Sequence, residues 1–330
     1  MAIAGIIGGG AWGTALAAAC ARAGNETHIW ALEDEVVTAI NKTQENTVFL
    51  QGHKLPDGIT ATNNMADLSE ADFILMVTPA QYLRPVSEKL QKHIKKDCPL
   101  VICSKGIEKK SGLLMSEILS KTTSSNPIAI LSGPTFAAEV ADNAPTAVTI
   151  AAEDEKIGKL LSNLIGQETF RPYWTNDIIG AQIGGAVKNV LAIGCGIVAG
   201  KKMGENAHAA LITRGMSEII EFGEAKGGNP ATMMGLSGMG DLILTCSSKQ
   251  SRNMSLGFAL GKGQTMDGIM ATRNSVAEGV HSAEIVYKVA SDLGVNMPIS
   301  KSVYRILHEG VNVDEEIKTL LSKPFSREIK

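Results

Sequence analysis

A glycine-rich turn near the start of the chain constrains the fold more than any other feature. The apolar residues 2–7 lead directly into Gly8-Gly9-Gly10-Ala11-Trp12-Gly13, and a helical pattern follows. In this G-x-G-x-x-G spacing, Gly8 permits a tight turn, Gly10 lets phosphates approach the backbone, and Gly13 lets the helix pack on the strand. The helix N-terminus also attracts anions. The pattern predicts a dinucleotide-binding fold, and the alternative is a purely structural glycine turn.

Short apolar runs alternate with helical patterns through the first half of the chain. The runs lie at residues 2–7, 27–31, 73–77, 100–103, 128–131, 147–151 and 169–173. Such alternation predicts a parallel sheet with helices on both faces. Beyond about residue 176 only helical patterns remain. We therefore predict an α/β protein with an N-terminal Rossmann-like doubly wound domain, residues 1–176, followed by an all-α helical substrate domain, residues 177–330.

The composition argues against several classes of protein. The net charge of −3 and the aromatic content of 4% give no basic or stacking surface for nucleic acid. The five cysteines form no Cys-x-x-Cys pair and the six histidines are scattered, so we expect a reduced, cytoplasmic protein without a metal site. The N-terminus lacks the basic region of a signal peptide. Residues 178–199 are apolar but contain Gln182, Lys188 and Asn189, which predicts a buried core helix and no membrane insertion.

Lys188 is the charged residue within this apolar run. Desolvation disfavours an ammonium group and lowers the pKa of a lysine, which suits a proton donor working near neutral pH. The alternative is a lysine at a helix edge that extends its head group to water. The segment alone favours this alternative, so the choice depends on the rest of the chain.

Glu33 stands where a dinucleotide-binding fold places an acidic residue, just beyond the second strand at residues 27–31. A carboxylate there binds the ribose 2′-hydroxyl of NAD and repels the 2′-phosphate of NADP. The absence of arginine from residues 31–35 favours NAD(H) in the same way, with NADP(H) as the second choice. The alternative is that Glu33 and Asp34 only cap the next helix.

Polar segments interrupt the helical half of the chain. Asp241 and Thr245 share a face if their segment is helical. Arg252, within Gln250-Ser251-Arg252-Asn253 at the start of a helical pattern, would suit a phosphate monoester. The other polar segments of this half are Lys188-Asn189 and residues 274–279. The first half adds two more, Ser104-Lys105-Gly106 and Ser132-Gly133-Pro134-Thr135. The last two, with Thr78-Pro79, follow strands, where open α/β sheets bind ligands. The alternative for each segment of the helical half, taken singly, is structural: Asp241 or Glu278 would cap a helix, and Arg252 would pair with a surface acid.

Together these segments resemble the soluble NAD(P)-dependent glycerol-3-phosphate dehydrogenases of the bacterial type. The resemblance covers almost the whole chain and is carried by residues 8–17, 104–106, 131–140, 184–189, 209–215, 238–246 and 250–253. Ser-Gly-Pro-Thr-Phe at 132–136 and Gly-Gly-Ala-Val-Lys-Asn-Val at 184–190 are its most specific motifs.

The resemblance implies interconversion of dihydroxyacetone phosphate and NAD(P)H with sn-glycerol 3-phosphate and NAD(P)+. It also implies that this reaction supplies glycerophospholipid synthesis and that the protein is a homodimer. It implies that Lys188 is the general acid/base and that Lys105 and Asp241 are further catalytic residues. The implied substrate-binding residues are Lys105, Gly133, Thr135, Lys188, Asn189, Asp241, Thr245, Ser251, Arg252 and Asn253. The implied cofactor-binding residues are Gly8, Gly10, Ala11, Trp12, Gly13, Glu33, Lys105, Ala137, Arg252, Val276 and Glu278.

One departure from the family pattern concerns the cofactor. Many bacterial relatives carry a basic residue near position 32 or 33, where this chain has Leu32-Glu33. Two alternative functions stay open beside the resemblance. A related dehydrogenase of a hydroxy or sugar acid would bind a carboxylate and not a phosphate, and a non-catalytic NAD(H)-sensing protein would need no lysine in an apolar helix.

Overall fold

The computed structural model describes residues 1–123, 125–248, 250–271, 277–325 and 327. The chain forms two compact units, the first comprising residues 1–185 and 227–241 and the second residues 186–226 and 242–330. These limits differ from the predicted boundary after residue 176. The reason is that Ile178 and Ala181 pack into a hydrophobic core of the first unit.

An eight-stranded sheet forms the centre of the first unit. The strands are β1 (Ile3–Ile7), β2 (Glu26–Trp30), β3 (Ile59–Thr62), β4 (Phe73–Met76), β5 (Leu100–Ile102), β6 (Ile128–Ser132), β7 (Thr146–Ala152) and β8 (Phe170–Thr175). Their order is β3-β2-β1-β4-β5-β6-β7-β8. The strand order therefore reverses beside β1, which is where doubly wound sheets bind their ligands. This topology confirms the predicted fold class.

Two details of the predicted sheet are wrong. The short edge strand β3 was not predicted, because its sequence Ile-Thr-Ala-Thr is too brief to stand out as an apolar run. Strand β7 runs antiparallel to β6. The helix between them, α5 (Ala137–Ala141), has five residues and spans only ~7.5 Å at 1.5 Å per residue. It is too short to carry the chain back along β6 for a parallel pairing.

Helices cover both faces of the sheet. Besides α5 they are α1 (Ala11–Arg22), α2 (Asp34–Thr43), α3 (Leu83–Leu90), α4 (Met115–Thr122) and α6 (Glu155–Ile165). Ile6 and Leu75 lie in one hydrophobic core, while Ile7 and Ile74 lie in a second core. Because adjacent strand residues point to opposite faces, the two cores occupy the two sides of the sheet, which explains the continuous apolar runs in the strands.

The second unit is helical. It contains the end of α7 (Ile178–Gly200), then α8 (Glu205–Ala225), α11 (Arg252–Gly261), α12 (Met266–Met270), α13 (Glu278–Asp292), α14 (Pro298–His308) and α15 (Val313–Leu321). The short α9 (Pro230–Met233) belongs to the first unit, and α10 (Asp241–Ser247) begins at the last residue of that unit.

Helix α7 is the long apolar helix that the sequence predicted. It is long and apolar enough to span a membrane, but 94% of its most apolar 18-residue segment is buried inside the protein. It packs closely on α11, since a Cβ at Gly196 would stand 2.1 Å from the Met254 carbonyl oxygen. Only glycine permits this approach, which places the start of α11 beside α7.

Candidate active site

The glycine-rich turn has the form that its sequence predicted. Gly8 has φ +129°, and a Cβ there would stand 2.8 Å from the Val77 carbonyl oxygen. A Cβ at Gly13 would stand 1.9 Å from the Gly8 carbonyl oxygen, so α1 packs directly on the turn. Gly10 is exposed and faces open space, with no atom within 4 Å of a Cβ built there. The glycine-rich turn thus leaves room for phosphates at the start of α1. Ala11 and Trp12 are the first two residues of this helix.

Glu33 occupies the N-cap position of α2, but its side chain makes no capping hydrogen bond. The neighbouring Asp34 instead accepts a hydrogen bond from Nδ2 of Asn63 at 2.6 Å. The side chain of Glu33 therefore does not play the capping role of the alternative explanation. Its place beyond β2 fits contact with a ribose hydroxyl.

Lys105 and Asp241 form an ion pair within the first unit. Nζ of Lys105 lies 2.6 Å from Oδ2 of Asp241 and donates a second hydrogen bond to the Gly133 carbonyl at 3.2 Å. The Asp241 side chain is completely buried, and that of Lys105 is 18% exposed. A buried carboxylate needs such a partner because an uncompensated charge is costly away from water. The pair also joins the ends of β5 and β6 to the start of α10.

The alkyl stem of Lys105 is held from a third side. A Cβ at Gly185 would stand 3.1 Å from Cγ of Lys105, so the lysine lies across the backbone of α7 at this glycine. Gly133 also accepts a long hydrogen bond from the Thr135 hydroxyl at 3.4 Å. Ala137, at the start of α5, is partly buried. The predicted residues Lys105, Gly133, Thr135 and Asp241 thus form one cluster.

Lys188 is buried in the second unit, on α7. Only 8% of the residue is exposed, and Nζ donates to the hydroxyl of Thr245 on α10 at 2.9 Å. This burial does not fit a lysine that extends its head group to water. The contact instead holds an ammonium group at a defined position among buried residues, as a proton donor requires.

Three further contacts in the second unit surround the starts of α11 and α13. Asn189, next to Lys188, donates from Nδ2 to the carboxylate of Glu278 at 3.3 Å. Asn253 accepts from the backbone N–H of Gly279 at 2.9 Å. Ser251 is the N-cap of α11 and accepts from the N–H of Met254 at 3.2 Å. The asparagines and Ser251 are therefore buried in ordered contacts, and not simply exposed on a surface.

Arg252 is the first residue of α11 and is exposed. A guanidinium at a helix N-terminus is well suited to an anion, because charge, fork geometry and free N–H groups act together. Val276, predicted to contact the cofactor, lies outside the described residues. In the described parts of the chain, no group of three or more His, Cys, Asp or Glu side chains is placed to hold a metal ion.

The fold and the glycine-rich turn together define a dinucleotide-binding protein of the doubly wound α/β class. Models of the NAD-dependent glycerol-3-phosphate dehydrogenase family match residues 3–158 (N-terminus) and 177–318 (C-terminus). A glycerol-3-phosphate dehydrogenase [NAD(P)+] of Parvibaculum lavamentivorans is 53% identical over 98% of this chain and 97% of its own length. That of Caulobacter vibrioides is 52% identical over 98% of both chains.

A solved structure agrees with the sequence comparisons. The crystal structure of glycerol-3-phosphate dehydrogenase from Coxiella burnetii has a TM-score of 0.92 and 35% identity, covering 98% of this chain and 99% of its own. The chain therefore belongs to the NAD-dependent glycerol-3-phosphate dehydrogenase family. Membership confirms the resemblance read from the sequence and the predicted class of enzyme, an NAD(P)-dependent oxidoreductase.

Proposed function

We propose that this protein reduces dihydroxyacetone phosphate to sn-glycerol 3-phosphate with NAD(P)H, and that Lys188 is the general acid/base. The observation that carries the proposal is the buried Lys188 ammonium, held by Thr245 at 2.9 Å. A sensing protein without chemistry would need no such lysine. Membership of the family supports the choice of substrate.

Lys188 supplies the proton. During reduction its ammonium donates to the C2 oxygen of the substrate as negative charge develops there, and in oxidation the amine takes the proton back. The positive charge also stabilises the developing alkoxide, more strongly where water is excluded. The hydroxyl of Thr245 fixes the direction of Nζ. Hydride transfer itself is the chemistry that the nicotinamide supplies when bound.

Lys105 and Asp241 act as a pair. Asp241 holds the Lys105 ammonium and balances its charge. The pairing lets this cation stay in a mostly buried place, where an unpaired charge would be costly. We assign Lys105 to contact with both substrate and cofactor, and Asp241 to orientation of the lysine. Gly133 and Thr135, which adjoin Lys105, border the substrate in this proposal.

Arg252 binds the phosphate of the substrate. Contact with this remote group positions C2 for reaction, which converts binding energy into orientation. Asn189, Thr245, Ser251 and Asn253 complete the proposed substrate site, and Glu278, Val276, Ala137 and the residues of the glycine-rich turn complete the cofactor site. A phosphate clamp of this kind argues against the hydroxy-acid and sugar-acid alternatives, whose substrates carry a carboxylate near the reacting carbon.

NADH is the preferred cofactor in this proposal. The carboxylate of Glu33 makes no capping bond, binds the ribose 2′-hydroxyl and repels a 2′-phosphate. We further propose that the enzyme works in the cytoplasm as a homodimer and supplies the glycerol backbone of phospholipids.

A substrate comparison tests the proposal. The purified protein is mixed with NADH and dihydroxyacetone phosphate, and the absorbance of the reduced nicotinamide is followed. Parallel reactions contain unphosphorylated dihydroxyacetone or a 2-oxo acid. Oxidation should be much faster with the phosphate substrate. Oxidation with the oxo acid alone would support the alternative dehydrogenase, and binding of NADH without any oxidation would support the sensor.

A further inference from the structure

Asn46 is a completely buried amide beside the glycine-rich turn. Its Nδ2 donates to the Gly9 carbonyl at 2.7 Å and to the hydroxyl of Thr14 at 2.8 Å. Its Oδ1 accepts from the backbone N–H groups of Val48 at 3.3 Å and Phe49 at 3.0 Å. The side chain of Asn46 thus donates hydrogen bonds to the glycine-rich turn and the start of α1, and accepts hydrogen bonds from the residues that follow it in its own loop.

Thr14 extends this contact to the next residue of the turn. Its hydroxyl donates to the Gly10 carbonyl at 3.0 Å, and its backbone N–H donates to the same oxygen at 3.0 Å. The carbonyls of Gly9 and Gly10 are therefore both held, one by Asn46 directly and one through Thr14.

Holding these carbonyls also orients the N–H groups that follow them. In a planar trans peptide the C=O of one residue and the N–H of the next point in opposite directions. With the Gly9 carbonyl turned inward to Asn46, the N–H of Gly10 points away from Asn46. With the Gly10 carbonyl directed along α1, the N–H of Ala11 points out of the helix start. Gly10 faces open space at this place.

We propose that Asn46 is a positioning residue for the cofactor, which holds the glycine-rich turn so that the N–H groups of Gly10 and Ala11 meet the pyrophosphate. Asn46 itself is completely buried, so in this proposal it acts through the turn and not by contact with the cofactor. The inference rests on the proposed function only in that NAD(H) is the ligand. If the role of Asn46 were purely structural, its substitution would lower the stability of the protein and leave the affinity for NADH unchanged.

Asn41 provides a control in the same unit. This asparagine of α2 is exposed, and its amide makes two hydrogen bonds to backbone, donating to the Ala61 carbonyl and accepting from the Ala61 N–H, both at 2.8 Å. It lies in the same unit and contacts an edge strand instead of the turn. Asn41→Ala therefore reports the stability effect of losing such bonds, without disturbing the turn.

The experiment measures the dissociation constant for NADH by its fluorescence, with melting temperatures alongside. Asn46→Asp keeps an acceptor for Val48 and Phe49 but loses both donors, and should weaken NADH binding about tenfold or more, equivalent to about 1.4 kcal/mol. Thr14→Val removes the hydroxyl that joins Asn46 to the Gly10 carbonyl but keeps the backbone N–H bond to that oxygen, and it should weaken binding in the same direction. The KM for dihydroxyacetone phosphate at saturating NADH should not change.

Two controls separate the possible outcomes. Asn41→Ala should melt at a lower temperature and bind NADH as the wild type does. Wild-type affinity in Asn46→Asp, or an equal loss in Asn41→Ala, would overturn the positioning role. If Asn46→Asp does not fold, wild-type affinity in Thr14→Val overturns it. A wild-type protein that binds no NADH would contradict the proposed function instead.

Discussion

Nζ of Lys188 donates a hydrogen bond to Oγ1 of Thr245 at 2.9 Å, and both residues are almost completely buried. Since the hydroxyl fixes the direction of the ammonium, its loss should misplace the proton donor. Thr245→Val conserves the shape of the side chain but not the acceptor. We expect kcat to fall about tenfold or more, the effect of leaving a buried charged donor without one partner. Thr213→Val, at an exposed position of α8, is the control and should keep full turnover.

The ion pair of Lys105 and Asp241 should matter far more than pairs at the surface. Asp241→Asn removes the buried charge that holds Lys105 and should lower kcat/KM on the order of 100-fold, as breaking a buried pair costs several kcal/mol. Asp314→Asn breaks the exposed pair with Lys201 and should change neither activity nor stability by more than about 1 kcal/mol. Equal activity of the two variants would show that the Lys105 pair has no part in catalysis.

Cofactor preference should depend on the charge at position 33. Glu33→Arg replaces repulsion of a 2′-phosphate by attraction, so kcat/KM should rise for NADPH and fall for NADH, each by about tenfold. Steady-state kinetics with the two cofactors side by side measure the effect. Glu35→Arg, an exposed position in the first turn of α2, should leave the ratio unchanged. An unaltered ratio in Glu33→Arg would remove the ribose contact from the account.

Glu218 should make stability depend on pH. Its carboxylate caps α14 by accepting from the N–H groups of Ile299 and Ser300 and from the Ser300 hydroxyl. Burial raises the pKa of the carboxyl to about 7, although these hydrogen bonds and the charge of Lys323 act in the opposite direction.

The sign of this dependence follows from the protons bound. Between the ordinary pKa of the carboxyl and about pH 7 the folded protein holds the proton and the unfolded chain does not. Stability therefore falls as pH rises through this range, by on the order of 3 kcal/mol, and is level above it. Melting curves of the wild type and of Glu218→Gln from pH 5 to 8 measure it. The wild type should lose stability relative to the variant up to about pH 7, and parallel curves would contradict this.

The sequence indicated candidate residues for the proposed site, but not which of their side chains meet. The glycine-rich turn was recognisable because local spacing determines its shape, and Lys188 because no other charge lies near it in the sequence. Lys105 and Asp241 lie 136 positions apart, so only the fold shows that their side chains meet. Asn46, for which we propose a positioning role, was not among the sequence candidates, since a single asparagine in a polar loop has no distinguishing pattern. The antiparallel β7 was missed because the length of α5, and not the apolar pattern, determines its direction.

The most direct test of the account is the turnover of Lys188→Ala with saturating NADH and dihydroxyacetone phosphate. Melting temperature and NADH affinity are measured on the same preparation, to show that the variant folds and binds cofactor. The account predicts a fall in kcat of about 100- to 10,000-fold, the range for a lost general acid. Turnover close to that of the wild type would contradict the assignment of Lys188 as the proton donor.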